Sequence, residues 1–130
     1  MKKSLHTIWP ATIWTLVIFV LLSLNGQTIK ENSGIFDVEG ADKIVHFFLF
    51  FCFSVLWILY GENKTNNKQS LYLLVIVTGS AYGLGMEYYQ EFFTNREFSY
   101  WDAVADTAGT IAGIFLIKKS PYGNRGRNQN

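Results

Sequence analysis

Asp102 and Asp106 stand one helical turn apart in the stretch SYWDAVADTAGTIAG, which is otherwise small and apolar and runs into Ile114–Ile117. A carboxylate at the centre of a membrane costs about 2.5–3.5 kcal/mol, so two on one face demand a reason. Asp42 and His46 are likewise one turn apart in ADKIVHFF, with Lys43 between them. Glu87, Gln90 and Glu91 close the stretch LYLLVIVTGSAYGLGMEYYQEFF, and Arg96 follows in TNREFS. Carboxylates, an imidazole and two cations in this pattern suit three kinds of chemistry. They are recognition of a polar ligand, acid–base catalysis, and binding of a proton or cation. No zinc motif, P-loop, GxGxxG or GxSxG occurs, so no cofactor and no metal site of recognised spacing is expected. The single cysteine, Cys52, excludes an intramolecular disulfide and reads as apolar filling.

The elements that must hold these groups are apolar. Of 130 residues 49% are hydrophobic and only 16% charged, low for a soluble domain. The net charge of +1 says little, because the placement of the charges matters more, and no nucleic-acid partner is expected. Four segments, Ile8–Leu24, Ile44–Tyr60, Leu71–Phe93 and Tyr100–Ile117, approach or reach the roughly 17–25 residues of a spanning helix. Lys2 and Lys3 before the first resemble a signal peptide, but LSLNGQ offers no A-x-A-like cleavage site, so an uncleaved helix is expected. The fold class is therefore an all-α integral membrane protein of four transmembrane helices in one domain, residues 1–120. A basic, flexible tail over residues 121–130 is expected to follow.

Lys and Arg gather on the cytoplasmic side of short loops. With the N-terminus inside, that side collects Lys2, Lys3, Lys64, Lys68, Lys118, Lys119, Arg125 and Arg127, against Lys30, Lys43 and Arg96 outside. Both termini are thus expected in the cytoplasm. Among the acids only Glu62 falls inside, so the polar chemistry faces outward.

At about 100° per residue, Asp102, Asp106, Gly109 and Gly113 share one stripe of the fourth helix, and Gly79, Gly83, Glu87 and Gln90 share one of the third. Small residues mark where membrane helices approach closely, so these four glycines predict helix packing and turn the acids away from lipid. Glu87 and Asp106 each lie six residues from the outer end of a helix, about 9 Å deep. The short hairpin places them face to face, too deep to cap a helix. Asp102, Gln90 and Glu91 lie nearer the surface, beside Arg96, Lys43 and His46. An outward-opening polar pocket at the outer ends of helices two to four is the expectation, with helix one as packing.

Plainer roles exist for several of these groups. Ser99-x-x-Asp102 fits a capping box, Asp42 suits the start of helix two, Arg96 suits neutralisation of nearby acids, and Lys43 suits an interfacial anchor. Trp9, Trp14, Tyr60, Tyr88, Tyr89, Tyr100 and Trp101 read as an interfacial belt. Glu87 and Asp106 fit no such role. Two acids that close must share a proton or be compensated by Arg96, Lys43, protonated His46 or a bound metal.

ADKIVHFFLFF followed by AYGLGMEYYQEFFTNREFSYWDAVADTAGTIAG resembles the VanZ-like family of small bacterial membrane proteins over residues 40–117. The resemblance picks out Asp42, Lys43, His46 and Phe47, then Gly83, Glu87 and Gln90, then Arg96, then Asp102 and Gly109. Asp106 departs from it, since the family pattern usually has Asn there. The resemblance implies a multi-pass protein of the bacterial cytoplasmic membrane with a cell-envelope role.

Three functions compete on this reading. The first is a ligand-binding envelope protein, leaning away from enzyme, whose Asp42, Lys43, His46, Glu87, Gln90, Arg96, Asp102 and Asp106 hold a lipid head group or cell-wall precursor. The second is a membrane-embedded enzyme acting on a lipid-linked substrate by carboxylate and histidine acid–base chemistry. The third is a proton or cation pathway through Glu87 and Asp106, which lacks acids near the inner helix ends.

Overall fold

The computed structural model describes residues 6–24 and 40–121. Four helices form: α1 (Ile8–Ser23), α2 (Ala41–Gly61), α3 (Lys68–Phe93) and α4 (Tyr100–Lys119). No strand occurs among the described residues. Lys2, Lys3, most of the first linker and the tail beyond residue 121 lie outside them. Part of the charge asymmetry read from the sequence therefore has no structural counterpart.

Each helix start has a local cause. Gly40 takes φ +90, a conformation open to glycine and costly for other residues, and α2 begins directly after it. Asp42 is thereby not the cap of α2, contrary to its plainer reading. Asn67 Oδ1 accepts from the Ser70 N–H at 3.1 Å to start α3. Ser99 Oγ accepts from the Asp102 N–H at 3.3 Å to start α4.

The helices run up and down, with α1 against α2 and α3, and α4 against the same two. The hairpin pair α3–α4 does pack, but α2 and α4 make the most extensive contact. Glycine explains why. A Cβ at Gly109 would fall on the Phe47 carbonyl oxygen, and one at Gly113 on Ser54 Oγ and 2.7 Å from the Phe51 carbonyl oxygen. Only bare Cα atoms let two helix backbones come this near. On α3, Gly79 gives room to Thr110, and Gly83 gives room to the Asp106 carboxyl, 2.5 Å from where a Cβ would stand.

Helix α1 is tied by polar bonds as well as packing. Trp14 Nε1 donates to the Leu49 carbonyl at 2.9 Å, Tyr82 Oη to the Thr15 carbonyl at 2.8 Å, and Trp57 Nε1 to Thr15 Oγ1 at 3.1 Å. Trp14 thus leaves the expected interfacial belt. Its indole N–H is surrounded by apolar groups and takes the second lone pair of a helix carbonyl. Ile18, Leu22, Leu49, Phe50, Phe53 and Met86 form the adjoining core.

The distribution of polarity is inverted relative to a water-soluble bundle. His46, Glu87, Asp106 and Thr110 are 0% exposed, while Leu16, Leu73 and Val77 are 60%, 63% and 57% exposed. Two helices, α2 and α3, are long and apolar enough to cross a membrane. At 16 residues α1 is apolar but shorter, spanning about 24 Å. In α4, Asp102, Asp106, Lys118 and Lys119 break the apolar run.

Candidate functional site

The site is assembled where α2 begins, α3 ends and α4 begins. His46, on the second turn of α2, is its centre. Asp106 enters from α4 through the gap left by Gly83, and its Oδ1 stands 2.8 Å from His46 Nδ1. Glu87 enters from α3, with Oε1 3.8 Å from the same nitrogen. On the other edge of the imidazole, Nε2 lies 3.9 Å from Asp102 Oδ2 and 4.0 Å from Asp42 Oδ1. Four carboxylates thus surround one histidine, two at each nitrogen.

The outer pair of acids has cationic partners. Arg96 Nη2 donates to both oxygens of Asp42 at 2.7 Å, and Lys43 Nζ lies 3.6 Å from Asp102 Oδ1. Glu87 and Asp106 have neither Lys nor Arg within ion-pair distance among the described residues. Four atoms in this cluster are buried without a hydrogen-bond partner: His46 Nε2, Glu87 Oε1, Asp102 Oδ1 and Asp106 Oδ2. A buried polar atom left unpaired costs about 1–3 kcal/mol, so such a concentration calls for an account.

Several residues do other work than their spacing suggested. Glu87 Oε2 accepts from the Ser99 backbone N–H at 3.0 Å, so Glu87 caps the start of α4 despite its depth. The hairpin brings Ser99 down beside α3, which counting along α3 alone does not reveal. With that N–H taken, Asp102 does not complete the reciprocal half of a capping box, and its carboxylate turns to Lys43 and His46. Gln90 does not join the cluster. Its Nε2 donates to the Leu22 carbonyl at 2.9 Å and fastens the outer end of α1 to α3. Gln90 shares the stripe with Glu87, but α1 also contacts α3, and an amide one turn outward meets that helix first. Spacing missed Ser99 as the partner of Glu87 and Leu22 as the partner of Gln90, because each makes that contact through a backbone group.

The cluster is closed. Its inner members are fully buried, and the connection to the surface runs through Asp42, Lys43 and Arg96, of which Lys43 is nearly half exposed. An open groove of about 320 Å³ at the same end is lined by Tyr88, Glu91, Phe98 and Tyr100 instead. The expected outward-opening pocket is therefore a covered site with a charged rim. At the far end of the bundle Glu62 pairs with Lys68 at 3.7 Å.

The sequence pattern of the VanZ/LLP1 family matches residues 3–120. The chain belongs to the VanZ/LLP1 family. An uncharacterized protein of Schizosaccharomyces pombe is 33% identical over 101 residues, 78% of this chain. The chain spans about 60% of the length of that relative. Similarity to this VanZ/LLP1 protein is thus not confined to bacteria. No solved structure matches it.

In this VanZ/LLP1 chain the geometry allows three acts. An imidazole fixed by a carboxylate can move a proton. Rim cations can meet an anion. Nitrogen and oxygen donors within 4.8 Å of one another, as in the groups His46, Glu87, Asp106 and Asp42, His46, Asp102, can hold a cation.

Proposed function

We propose that this VanZ/LLP1 protein is a four-helix protein of the bacterial cytoplasmic membrane that binds the anionic head group of a lipid at its extracytoplasmic surface. Both termini lie in the cytoplasm. The observation that carries the proposal is the rim: Lys43 and Arg96 each hold a carboxylate above a sealed polar cluster, at the end where Tyr100 and Trp101 are more than two-thirds exposed. Aromatic rings of this kind favour the membrane–water boundary. An arriving phosphate can exchange with the Asp42 and Asp102 carboxylates for the same two cations. A relative in a fungus favours a lipid head group over a precursor of a bacterial wall.

Binding of phosphatidylglycerol to the purified protein, read by native mass spectrometry against phosphatidylcholine, tests this. Lys43→Ala is expected to weaken binding by about tenfold, the effect of losing roughly 1.4 kcal/mol of charge-assisted contact. Equal retention of both lipids, unchanged in Lys43→Ala, would reject the head-group reading.

Orientation has its own test. In a Cys52→Ala background, Glu97→Cys is expected to react with a membrane-impermeant maleimide added to intact cells, and Thr65→Cys only after lysis. Glu97 lies in the hairpin beside the cluster and Thr65 in the connection from α2 to α3, and Glu97 is exposed. The opposite labelling pattern would invert the proposed topology.

A second reading, a membrane-embedded enzyme on a lipid-linked substrate, draws on the 2.8 Å contact between His46 and Asp106. A carboxylate at Nδ1 orients an imidazole as a general base acting through Nε2. Release of inorganic phosphate or sugar from lipid-linked substrates by the purified protein would favour it over simple binding.

A further inference from the structure

We infer that His46, Glu87 and Asp106 form an intramembrane binding site for one divalent first-row transition-metal ion. The inference stands on charge balance and on unpartnered atoms, independently of the rim and its lipid.

Consider the four acids in turn. Asp42 is matched by Arg96 and Asp102 by Lys43, each within ion-pair distance. Glu87 and Asp106 remain, both 0% exposed and both contributed by helices whose lipid-facing surfaces are apolar. Two carboxylates and a neutral imidazole carry a charge that a single dication cancels. The outer group, Asp42, His46 and Asp102, is the poorer choice, because Arg96 and Lys43 already occupy its acids and would repel the ion.

The donor atoms are available. Glu87 Oε1 and Asp106 Oδ2 are buried and unpartnered, and each belongs to a carboxylate whose other oxygen is engaged, by Ser99 and by His46 respectively. One atom from each of the three residues lies within 4.8 Å of the others. Ligands about 2.1 Å from a common ion stand roughly 3 to 4 Å apart. The 3.8 Å from Nδ1 to Glu87 Oε1 falls in that range, and the 2.8 Å to Asp106 Oδ1 lies just below it. One imidazole nitrogen with two carboxylates suits Zn²⁺, Mn²⁺ or Fe²⁺ better than Ca²⁺, which takes oxygen alone. Metal binding displaces the hydrogen between Nδ1 and Asp106 Oδ1 and leaves the imidazole's hydrogen on Nε2. That nitrogen stands 3.9 Å from Asp102 and 4.0 Å from Asp42, the carboxylates that would serve as its outer-shell partners.

The backbone supports the same set. Gly83 leaves the space that Asp106 fills, and the Ser99 N–H fixes the Glu87 carboxylate so that Oε1 points inward. The site is therefore held by three helices and a hairpin.

Purified full-length protein, stripped with chelator in detergent, is titrated with Zn²⁺ and with Mn²⁺ alone, and bound metal is counted by mass spectrometry. One equivalent per chain is expected, and Co²⁺ in the same site should show visible absorption bands of mixed nitrogen and oxygen ligation. Asp106→Asn and Glu87→Gln keep the shapes and the Ser99 contact, and each is expected to weaken binding roughly 100-fold or more. Glu91→Gln, an exposed acid one residue from Gln90, is expected to bind as wild type. Binding no tighter in the wild type than in Asp106→Asn, with both proteins helical and monodisperse, would overturn the site and leave protons as the compensating charge.

Discussion

Gly109→Ala is expected to destabilise the protein by about 1–3 kcal/mol, the usual range for overpacking a close interface. The new methyl group would land on the carbonyl oxygen of Phe47, with the Phe47 carbonyl carbon and Cα close behind. All three are backbone atoms of α2, so no side-chain rotation relieves the contact. The helices must separate, and the separation falls at the site. Phe47 follows His46 directly and Gly109 stands three residues after Asp106, so the 2.8 Å contact between His46 and Asp106 opens with the helices. Loss of site function should therefore accompany loss of stability. Gly85→Ala is the matched comparison. Nothing lies within 4 Å of a Cβ at Gly85, an exposed position inside α3. Alanine there is expected to stabilise by about 0.5–1 kcal/mol through helix propensity. Reversible unfolding in detergent micelles, followed by circular dichroism, reads both. Equal effects at positions 85 and 109 would mean that α2 and α4 do not meet as described.

The contrast between these glycines also shows what spacing in a sequence carries. Gly79, Gly83, Gly109 and Gly113 were legible as packing residues because each recurs at helical period with an acid on the same stripe. Gly85 falls outside both stripes. The same periodicity placed Glu87, Asp102 and Asp106 inward, and all three are buried. Spacing failed where the partner is a backbone group or belongs to a helix remote in the chain. Gln90 meets the Leu22 carbonyl, 68 residues away, and Trp14 meets the Leu49 carbonyl. Any residue has a carbonyl, so no residue type announces these acceptors. Glu87 illustrates the subtler failure. Its depth along α3 is as counted, yet the hairpin dips far enough for Ser99 to reach it. Helical period fixes a face and a height on one helix, but not the path of the loop that follows.

Those limits explain why the pocket was expected open and is closed. Counting residues put Arg96 and Lys43 near the surface, where they are, and Asp102 with them, although it is buried. It did not show that Arg96 closes on Asp42 and Lys43 on Asp102 as a cover. Arg96 ties the hairpin to α2 through Asp42, and the inner acids Glu87 and Asp106 are fully buried beneath. The buried groups must then balance their charges among themselves or with something bound. That constraint makes His46 the residue on which the cluster depends.

His46→Leu is accordingly expected to cost about 3–5 kcal/mol, the range for removing one partner of a buried ionic group. In the metal-free protein, leucine fills the volume but gives Asp106 Oδ1 no hydrogen and gives Glu87 and Asp102 no imidazolium to face. If charge is the cause, removing an acid should recover part of the loss. In His46→Leu with Asp106→Asn, one fewer carboxylate is stranded, and about 1–2 kcal/mol of coupling is expected between the two positions. His46→Gln should fall between wild type and His46→Leu, since its amide can donate one hydrogen bond to Asp106 but carries no charge. A purely steric role for the imidazole predicts a different order, with His46→Leu the mildest of the single changes and no recovery on adding Asp106→Asn. Unfolding midpoints of the wild type, His46→Leu, His46→Gln, Asp106→Asn and the double variant in the same detergent separate the two cases. Strict additivity of the double variant would remove His46 from the centre of the site, because groups in direct contact with a shared charge do not respond independently.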